Sequence, residues 1–391
     1  MRPTTALLAS LPSRSKTIGF IGLGAMGKEM ASHLLTKSFA RHPDASFVVC
    51  DADPTTLTRF LTAQTSLHPG RMLSPAQSPA SVARAASTVI TMLPSSPQAN
   101  EVYLGSQGIL EGLEDAGLAS GAGGGGASSE SLFIDCTTCD RQTGVDVAAT
   151  LQQSPSSPAM IDAPVSGGVA GAAAATLTFL VGSNSAETFA KAEPHLLNMG
   201  SRAIHCGPSG TGLTAKIANN LVLGATMLAT SEAMALAMRG GLSPQVSSKL
   251  REMIFLPPLM RSFPAPVADH PTVHFTPNVQ MIAHVLNTST GRSWSSECNN
   301  PAPGALRGTK FSPPADRDWQ GGFAAKLQAK DLRLALQAAD QVGLPTPMAT
   351  LASRIYDNLE SADEVSLRFN GQLWHGTCFP QRLTPSSSCG P

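Results

Sequence analysis

A glycine-rich turn near the N-terminus limits the folds open to this chain more than any other feature. The chain places Gly22, Gly24 and Gly27 in the spacing Gly-x-Gly-x-x-Gly. An apolar run, 17–21, precedes the turn, and a helix-like run, 28–35, follows it. That order of strand, turn and helix is what a dinucleotide-binding fingerprint requires, because free N–H groups at the start of the helix bind phosphates.

Each glycine has a separate role in such a turn. The first allows the tight turn, the second lets the backbone approach a pyrophosphate, and the third lets helix and strand pack closely. A second strand-like run, 46–50, ends directly before Asp51, where an acid can bind ribose hydroxyls. A tight turn beside an ordinary surface aspartate is the alternative, but the complete order of elements favours a cofactor site. The predicted cofactor contacts here are Gly22, Leu23, Gly24, Ala25, Met26, Gly27 and Asp51.

Strand patterns alternate with helical ones up to residue 206. The later predicted strands are 87–93, 132–135, 160–163 and 176–181. This alternation predicts an α/β Rossmann domain, with a doubly wound and mainly parallel sheet, over residues 17–206. A long apolar helix, 213–238, then begins an all-helical domain over 207–362. Helical pattern returns there at 281–286, 323–342 and 351–359.

Two stretches depart from this regularity. Residues 111–131 include a glycine-rich run, which predicts a flexible insert because it has few large apolar groups to pack. Residues 251–279 hold six prolines and no helical period, which predicts an insertion that loops out of the helical domain. A functional lid is the competing interpretation of so long a loop. Residues 363–391 form a divergent tail.

Composition narrows the class of protein. The 391 residues carry no net formal charge, and only 14% are charged, so no nucleic-acid or membrane-surface partner is expected. Seven cysteines, an odd number, indicate reduced thiols inside a cell. Cys136 and Cys139 form a CxxC without a second pair, so no metal site is predicted. No segment is expected to span a bilayer, since the most apolar run contains Lys216 and Glu232.

The long helix offers a group for proton transfer. Oxidation of an alcohol by a nicotinamide needs a group that takes the hydroxyl proton and donors that stabilise the alkoxide. Lys216 and Asn220 lie four residues apart and therefore share one helix face. Desolvation on an otherwise apolar helix would disfavour the charged form of Lys216. A lysine that extends its amine into solvent is an equal alternative.

Three further segments are candidates for the site. Ser166, Gly167 and Gly168 offer a hydroxyl and backbone N–H groups that suit a carboxylate, although a simple glycine turn also explains them. Leu93-Pro94 ends a predicted strand, and doubly wound sheets bind ligands at the carboxyl ends of their strands, although a loop without ligand contact also explains this segment. Lys330-Asp331, on the predicted helix 323–342, is by itself typical of a solvated charge pair.

Taken together, these motifs resemble the β-hydroxyacid dehydrogenase family. The similar segments are an N-terminal signature at 20–31, a substrate loop at 162–168, a catalytic helix at 210–220 and a later segment at 321–332. The segment 289–304 resembles one branch of that family, which acts on a small hydroxyacid in mitochondria. The resemblance covers residues 17 to about 360 and implies an NAD-dependent oxidoreductase.

The resemblance also implies roles. Lys216 would be the catalytic acid/base, and the substrate-binding residues would be Ser166, Gly167, Gly168 and Asn220. The cofactor contacts that it adds are Leu93, Pro94, Gln98, Thr138, Phe323 and Lys330. The implied partners are a small hydroxyacid and further copies of the chain in a dimer or tetramer. An NADPH-dependent reductase of the same family and a non-catalytic nucleotide-binding scaffold remain as alternatives.

The first sixteen residues contain Arg2, Arg14 and Lys16, several Ser and Thr, and no acid. On composition, a mitochondrial presequence and a disordered leader explain this equally well. The family resemblance favours the presequence.

Overall fold

The computed structural model describes residues 13–119, 131–239, 279–317 and 322–361. The chain divides into two compact units, the first formed by residues up to 221 together with 331–346, and the second by 222–330 together with residues from 347 onward. Four predicted segments lie wholly or mostly outside the described residues. They are the leader 1–16 except its last four residues, the glycine run 121–127, the 251–279 insertion except its last residue, and the divergent tail 363–391.

The first unit is built on a mostly parallel sheet. Its strands within the described ranges are β1 (Thr17–Ile21), β2 (Ser46–Cys50), β3 (Met72–Pro75), β4 (Thr88–Thr91), β5 (Leu132–Asp135), β6 (Ala159–Asp162), β7 (Val165–Ser166), β8 (Leu177–Gly182) and β9 (Gly200–Gly207). The order is β3-β2-β1-β4-β5-β6-β8-β7, with β9 beside β8. Strands β1 to β6 pair in parallel, whereas β8 runs antiparallel to β6 and β7. The first six strands have the order of a Rossmann sheet, so the predicted fold is confirmed.

Helices cover both faces of this sheet. They are α1 (Gly27–Arg41), α2 (Pro54–Leu67), α3 (Pro79–Ala85), α4 (Ser96–Leu104), α5 (Ile109–Ala119), α6 (Arg141–Gln153), α7 (Gly168–Ala173) and α8 (Ala186–Met199). Neighbouring residues on a strand point to opposite faces. Accordingly, Phe133 packs in one hydrophobic cluster with Val89 and Tyr103, while Ile134 packs in the other with Phe20 and Leu34.

A long helix, α9 (Thr211–Arg239), runs from the first unit into the second. It is followed by α10 (Val279–Thr288), α11 (Trp294–Glu297), a 3-10 helix (Pro314–Arg317), α12 (Ala325–Gln341) and α13 (Pro347–Ser361). A core of Met234, Ile282, Ala302 and Leu306 packs within the second unit. The described part of this unit contains helices and no strand, as the sequence predicts.

The interpretation of 111–131 as one flexible insert is wrong for its first part. Helix α5 continues to Ala119, and Leu113 is buried against the sheet. A Cβ on Gly112 would lie 2.3 Å from the carbonyl oxygen of Ala80, so this glycine allows α3 and α5 to pack closely. The apolar period of a short helix was hidden because the glycine run follows it directly.

The sequence-based view that no segment is apolar enough to span a bilayer also needs correction. Residues Thr211–Ala237 are long and apolar enough by length and composition alone, with a hydropathy of 1.3. The core helix of a protein that never enters a bilayer passes the same test. Of the 18-residue apolar stretch in this helix, 39% is buried within the protein. Lys216 and Asn220, both buried on this helix, fit a site helix.

Candidate active site

The glycine turn joins β1 to α1, and its glycines are required for different reasons. Gly22 has a φ of +94°, which side-chain-bearing residues rarely adopt. A Cβ on Gly27 would lie 1.9 Å from the carbonyl oxygen of Gly22, so Gly27 allows the helix to pack on the turn. A Cβ on exposed Gly24 would meet no atom within 4 Å. This open surface at the start of a helix fits the pyrophosphate of a dinucleotide.

Asp51 ties the end of β2 to the same turn. Its Oδ2 accepts a hydrogen bond from the Leu23 N–H at 2.6 Å, and its Oδ1 accepts one from the Asp53 N–H at 2.8 Å. A carboxylate oxygen can accept more than one hydrogen bond, so Asp51 can also accept one from a ribose hydroxyl. The loop between β2 and α2, residues 51–53, contains no Lys or Arg, and the first basic residue after it is Arg59 on α2. This loop therefore supplies no positive charge for a 2′-phosphate.

A buried polar network joins the carboxyl ends of β4 and β5. Asp135 Oδ1 accepts hydrogen bonds from Thr91 Oγ1 at 2.8 Å and from the Thr137 N–H at 3.0 Å. The Leu93 N–H in turn donates to Thr137 Oγ1 at 3.0 Å. The predicted cofactor-lining residue Leu93 is thus fixed by Thr137, which sequence reasoning missed. The available signal was its position two residues beyond a predicted strand.

Folding stability should depend on the protonation of Asp135. Burial raises the pKa of Asp135 from 3.8 to about 6, although hydrogen bonds from Thr137 and Thr91 oppose the rise. Because the pKa of Asp135 is higher in the folded than in the unfolded state, its contribution to the free energy of unfolding is full below about pH 4. That contribution is lost as the pH rises through about 6. The difference between the two pKa values corresponds to about 3 kcal/mol. Chemical unfolding from pH 4 to 8 should show this loss in the wild type.

The variant Asp135→Asn isolates this contribution, because its amide does not titrate in that range. We expect the free energy of unfolding of the variant to change less between pH 4 and 7 than that of the wild type. Equal pH dependence in the two proteins would assign the effect to other groups.

The candidate catalytic helix α9 carries two buried polar residues. Lys216 is 8% exposed and Asn220 is 1% exposed, so Lys216 does not extend into solvent. Asn220 Oδ1 accepts a hydrogen bond from Asn219 Nδ2 at 3.0 Å, and Asn220 Nδ2 donates to Asp331 Oδ2. The amide of Asn220 is therefore held in a fixed orientation beside Lys216 on the helix.

The interpretation of Lys330-Asp331 as a solvated charge pair is wrong for Asp331, which is buried. Asp331 is 2% exposed and binds Asn220, which precedes it by 111 residues. Its role could not be found from local sequence, because its partner lies on a different helix.

The predicted substrate loop follows β6. Gly167 and Gly168 have φ values of +135° and +62°, so the backbone requires glycine at both positions whatever the ligand. A Cβ on Gly168 would meet nothing within 4 Å, and Ser166 is half-buried at the end of β7. Open space beside a hydroxyl and backbone N–H groups is compatible with a carboxylate.

The remaining predicted residues divide between the two units. Pro94 and Gln98 follow β4, which lies beside β1, and Thr138 follows β5, which lies on the other side of β4. Phe323 and Lys330 belong to the second unit, and their cofactor roles remain predictions. Among the residues with described side chains, no cluster of three or more His, Cys, Asp or Glu could hold a metal.

The Rossmann sheet and its open glycine turn define an NAD-binding domain, and the comparisons with known proteins show an oxidoreductase. A family model for the NAD-binding domain of 6-phosphogluconate dehydrogenase matches residues 17–207. A second model, described as the NAD-binding region of NADP-dependent 3-hydroxyisobutyrate dehydrogenase, matches 210–251 and 274–368. The chain belongs to the β-hydroxyacid dehydrogenase family.

Individual relatives cover most of the chain. Mouse mitochondrial 3-hydroxyisobutyrate dehydrogenase is 36% identical over 91% of this chain and 86% of its own length. An NAD-dependent L-serine dehydrogenase of Pseudomonas aeruginosa is 34% identical over 87% of this chain and 91% of its own. The solved structure of Mycobacterium tuberculosis 3-hydroxyisobutyrate dehydrogenase with L-serine is 29% identical, with a TM-score of 0.68 over 92% of this chain and 98% of that one.

Proposed function

We propose that this protein oxidises 3-hydroxyisobutyrate to methylmalonate semialdehyde with NAD, a step of valine catabolism. The observation that carries this proposal is that Lys216 and Asn220 are both buried on one face of α9. The chain that holds them is 36% identical, over 91% of its length, to mouse 3-hydroxyisobutyrate dehydrogenase. The reaction removes a hydride from the carbinol carbon and a proton from the hydroxyl group, which leaves the aldehyde.

The residues of the chain supply proton transfer and orientation. NAD bound at the glycine turn would accept the hydride. Lys216 accepts the hydroxyl proton at Nζ during oxidation and returns it to the carbonyl oxygen in the reverse direction. Asn220, whose amide is oriented by Asp331, positions the reacting group. The hydroxyl of Ser166 and the backbone N–H groups after it bind the substrate carboxylate.

Turnover by the purified protein tests the proposal. The specificity constant kcat/KM should be highest for 3-hydroxyisobutyrate with NAD. L-Serine is the second candidate substrate, because it appears in the names of one relative and one structural neighbour. A higher kcat/KM for L-serine, or for reduction of glyoxylate or succinate semialdehyde with NADPH, would overturn the assignment.

Asp51 should make the enzyme prefer NAD over NADP. Its carboxylate can accept from the ribose hydroxyls and repels a 2′-phosphate. Hydrogen bonds to charged groups contribute about 1.5–3 kcal/mol, so we expect about a tenfold or larger preference for NAD. In Asp51→Ala, the ratio of the kcat/KM values for NAD and NADP should move towards one.

Asp53→Ala is the matched control, because Asp53 is an acid two residues further along that caps α2 through the Thr55 and Thr56 N–H groups. Its loss should lower stability and leave the cofactor ratio unchanged. Equal kcat/KM values for NAD and NADP in the wild type would contradict the role of Asp51.

The proposal extends to location, assembly and chain organisation. Relatives are named as mitochondrial, which supports a presequence within residues 1–16. Arg14 donates hydrogen bonds to the Ala83 carbonyl oxygen and to Ser131 Oγ, so this presequence would end before Arg14. A homo-oligomer is also part of the proposal. The second family model leaves residues 252–273 unmatched, which supports an insertion at 251–279.

A further inference from the structure

Asp162, which the mechanism above does not use, binds the first turn of the catalytic helix. It is the last residue of β6 and is 5% exposed. Its Oδ1 accepts a hydrogen bond from the Gly210 N–H at 2.7 Å, and its Oδ2 accepts one from the Leu213 N–H at 2.9 Å. The first N–H groups of a helix have no partner within the helix, so this carboxylate satisfies donors that would otherwise be buried unpaired.

Two glycines leave the space that this carboxylate occupies. A Cβ on Gly182, at the end of β8, would lie 2.3 Å from Asp162 Oδ1. A Cβ on Gly212, in the first turn of α9, would lie 2.7 Å from Asp162 Oδ2 and 2.2 Å from the carbonyl oxygen of Leu180. The Asp162 carboxylate therefore lies between the end of β8 and the first turn of α9, and its hydrogen bonds connect the sheet to the helix.

The charge of Asp162 suits this position. Burial raises the pKa of Asp162, and hydrogen bonds from the N–H groups of Gly210, Leu213 and Gly212 oppose the rise. Negative charge at a helix N-terminus is stabilised by the helix dipole. Asp135 on β5 and Cys206 on β9 interact electrostatically with Asp162, and neither of these two groups carries a positive charge.

We propose that Asp162 is a positioning residue for proton transfer, because it fixes the end of the helix that carries Lys216. This inference rests on the proposed function in giving Lys216 that role. Lys216 follows Leu213 by three residues, which is about 4.5 Å along the helix axis. Movement of the helix end therefore reaches the reacting amine, and a displacement of about 1 Å costs about 100-fold in rate.

The variant Asp162→Asn tests this with a matched control, Asp135→Asn. The two aspartates are register partners on β6 and β5, they are similarly buried, and the same chemical change is made in each. Asp135 binds Thr91 and Thr137 instead of α9. We expect Asp162→Asn to lower kcat by about tenfold to 100-fold and to leave the Kd for NAD within about twofold, whereas Asp135→Asn should weaken NAD binding through the Leu93 loop.

Two further measurements do not depend on turnover. Amide hydrogen exchange over residues 211–216 and the rate of Lys216 acetylation by acetic anhydride should both increase in Asp162→Asn, and they should stay at wild-type values in Asp135→Asn. If the wild type oxidises no hydroxyacid, the proposed function fails while these two rates still decide the role of Asp162. Unchanged exchange and acetylation in Asp162→Asn, or a loss of NAD affinity as large as its loss of kcat, would overturn the proposal.

Discussion

Replacing Lys216 should abolish turnover and leave NAD binding intact. General acid–base groups contribute about 100- to 10,000-fold in rate, and Lys216 is the buried amine on the face of α9 that also presents Asn220. The glycine turn lies on a different element, so its phosphate-binding N–H groups are unaffected. We expect Lys216→Ala to lower kcat by about 100-fold or more, while the Kd for NAD measured by calorimetry changes little.

Two further variants separate catalysis from packing. Lys216→Met keeps most of the side-chain volume in the buried site, so its loss of kcat should equal that of Lys216→Ala. Lys191→Ala removes an exposed lysine that pairs with Glu187 on α8, and its kcat should match that of the wild type. A Lys216→Met enzyme that retains near wild-type turnover would remove Lys216 from the mechanism.

The glycine turn could be predicted from sequence because its requirements are local. The tight turn, the approach of phosphate and the packing of helix on strand all depend on residues within one short run, so the spacing of Gly22, Gly24 and Gly27 contains the relevant geometry. The parallel sheet could also be predicted, because strand-like apolar runs alternate with helical segments along the chain, and this alternation is typical of α/β folds with a parallel sheet. Strand β3 gave no such signal because its four residues are largely exposed.

The contacts that hold the candidate site together could not be predicted in this way. Asp331 meets Asn220 across 111 residues, and Asp162 meets Gly210 across 48. No local pattern states which distant N–H or amide group a buried carboxylate will satisfy. Sequence could place Asp162 only within the last two residues of the predicted strand 160–163, and its contact with α9 emerges only when sheet and helix are packed together.

A side chain at Gly24 should block the cofactor without disturbing the fold. The position is exposed, and a Cβ there would meet no protein atom within 4 Å. In Gly24→Val, the added methyl groups would occupy the space that the pyrophosphate needs. Loss of one hydrogen bond to a charged group, at about 1.5–3 kcal/mol, already corresponds to a decrease in NAD affinity of about tenfold to 100-fold. The melting temperature without NAD should stay close to that of the wild type.

Gly27→Ala is the contrasting variant. It also adds a side chain to a glycine of the turn, but it should lower the stability of the protein. Its Cβ would lie 1.9 Å from the carbonyl oxygen of Gly22, so β1 and α1 would have to separate. Overpacking of this kind costs about 1–3 kcal/mol or more, and we expect a lower melting temperature in the absence of NAD. The two glycines thus assign one position to ligand and the other to packing. If Gly24→Val bound NAD with wild-type affinity, the pyrophosphate would have to lie elsewhere and the assignment of this turn would be wrong.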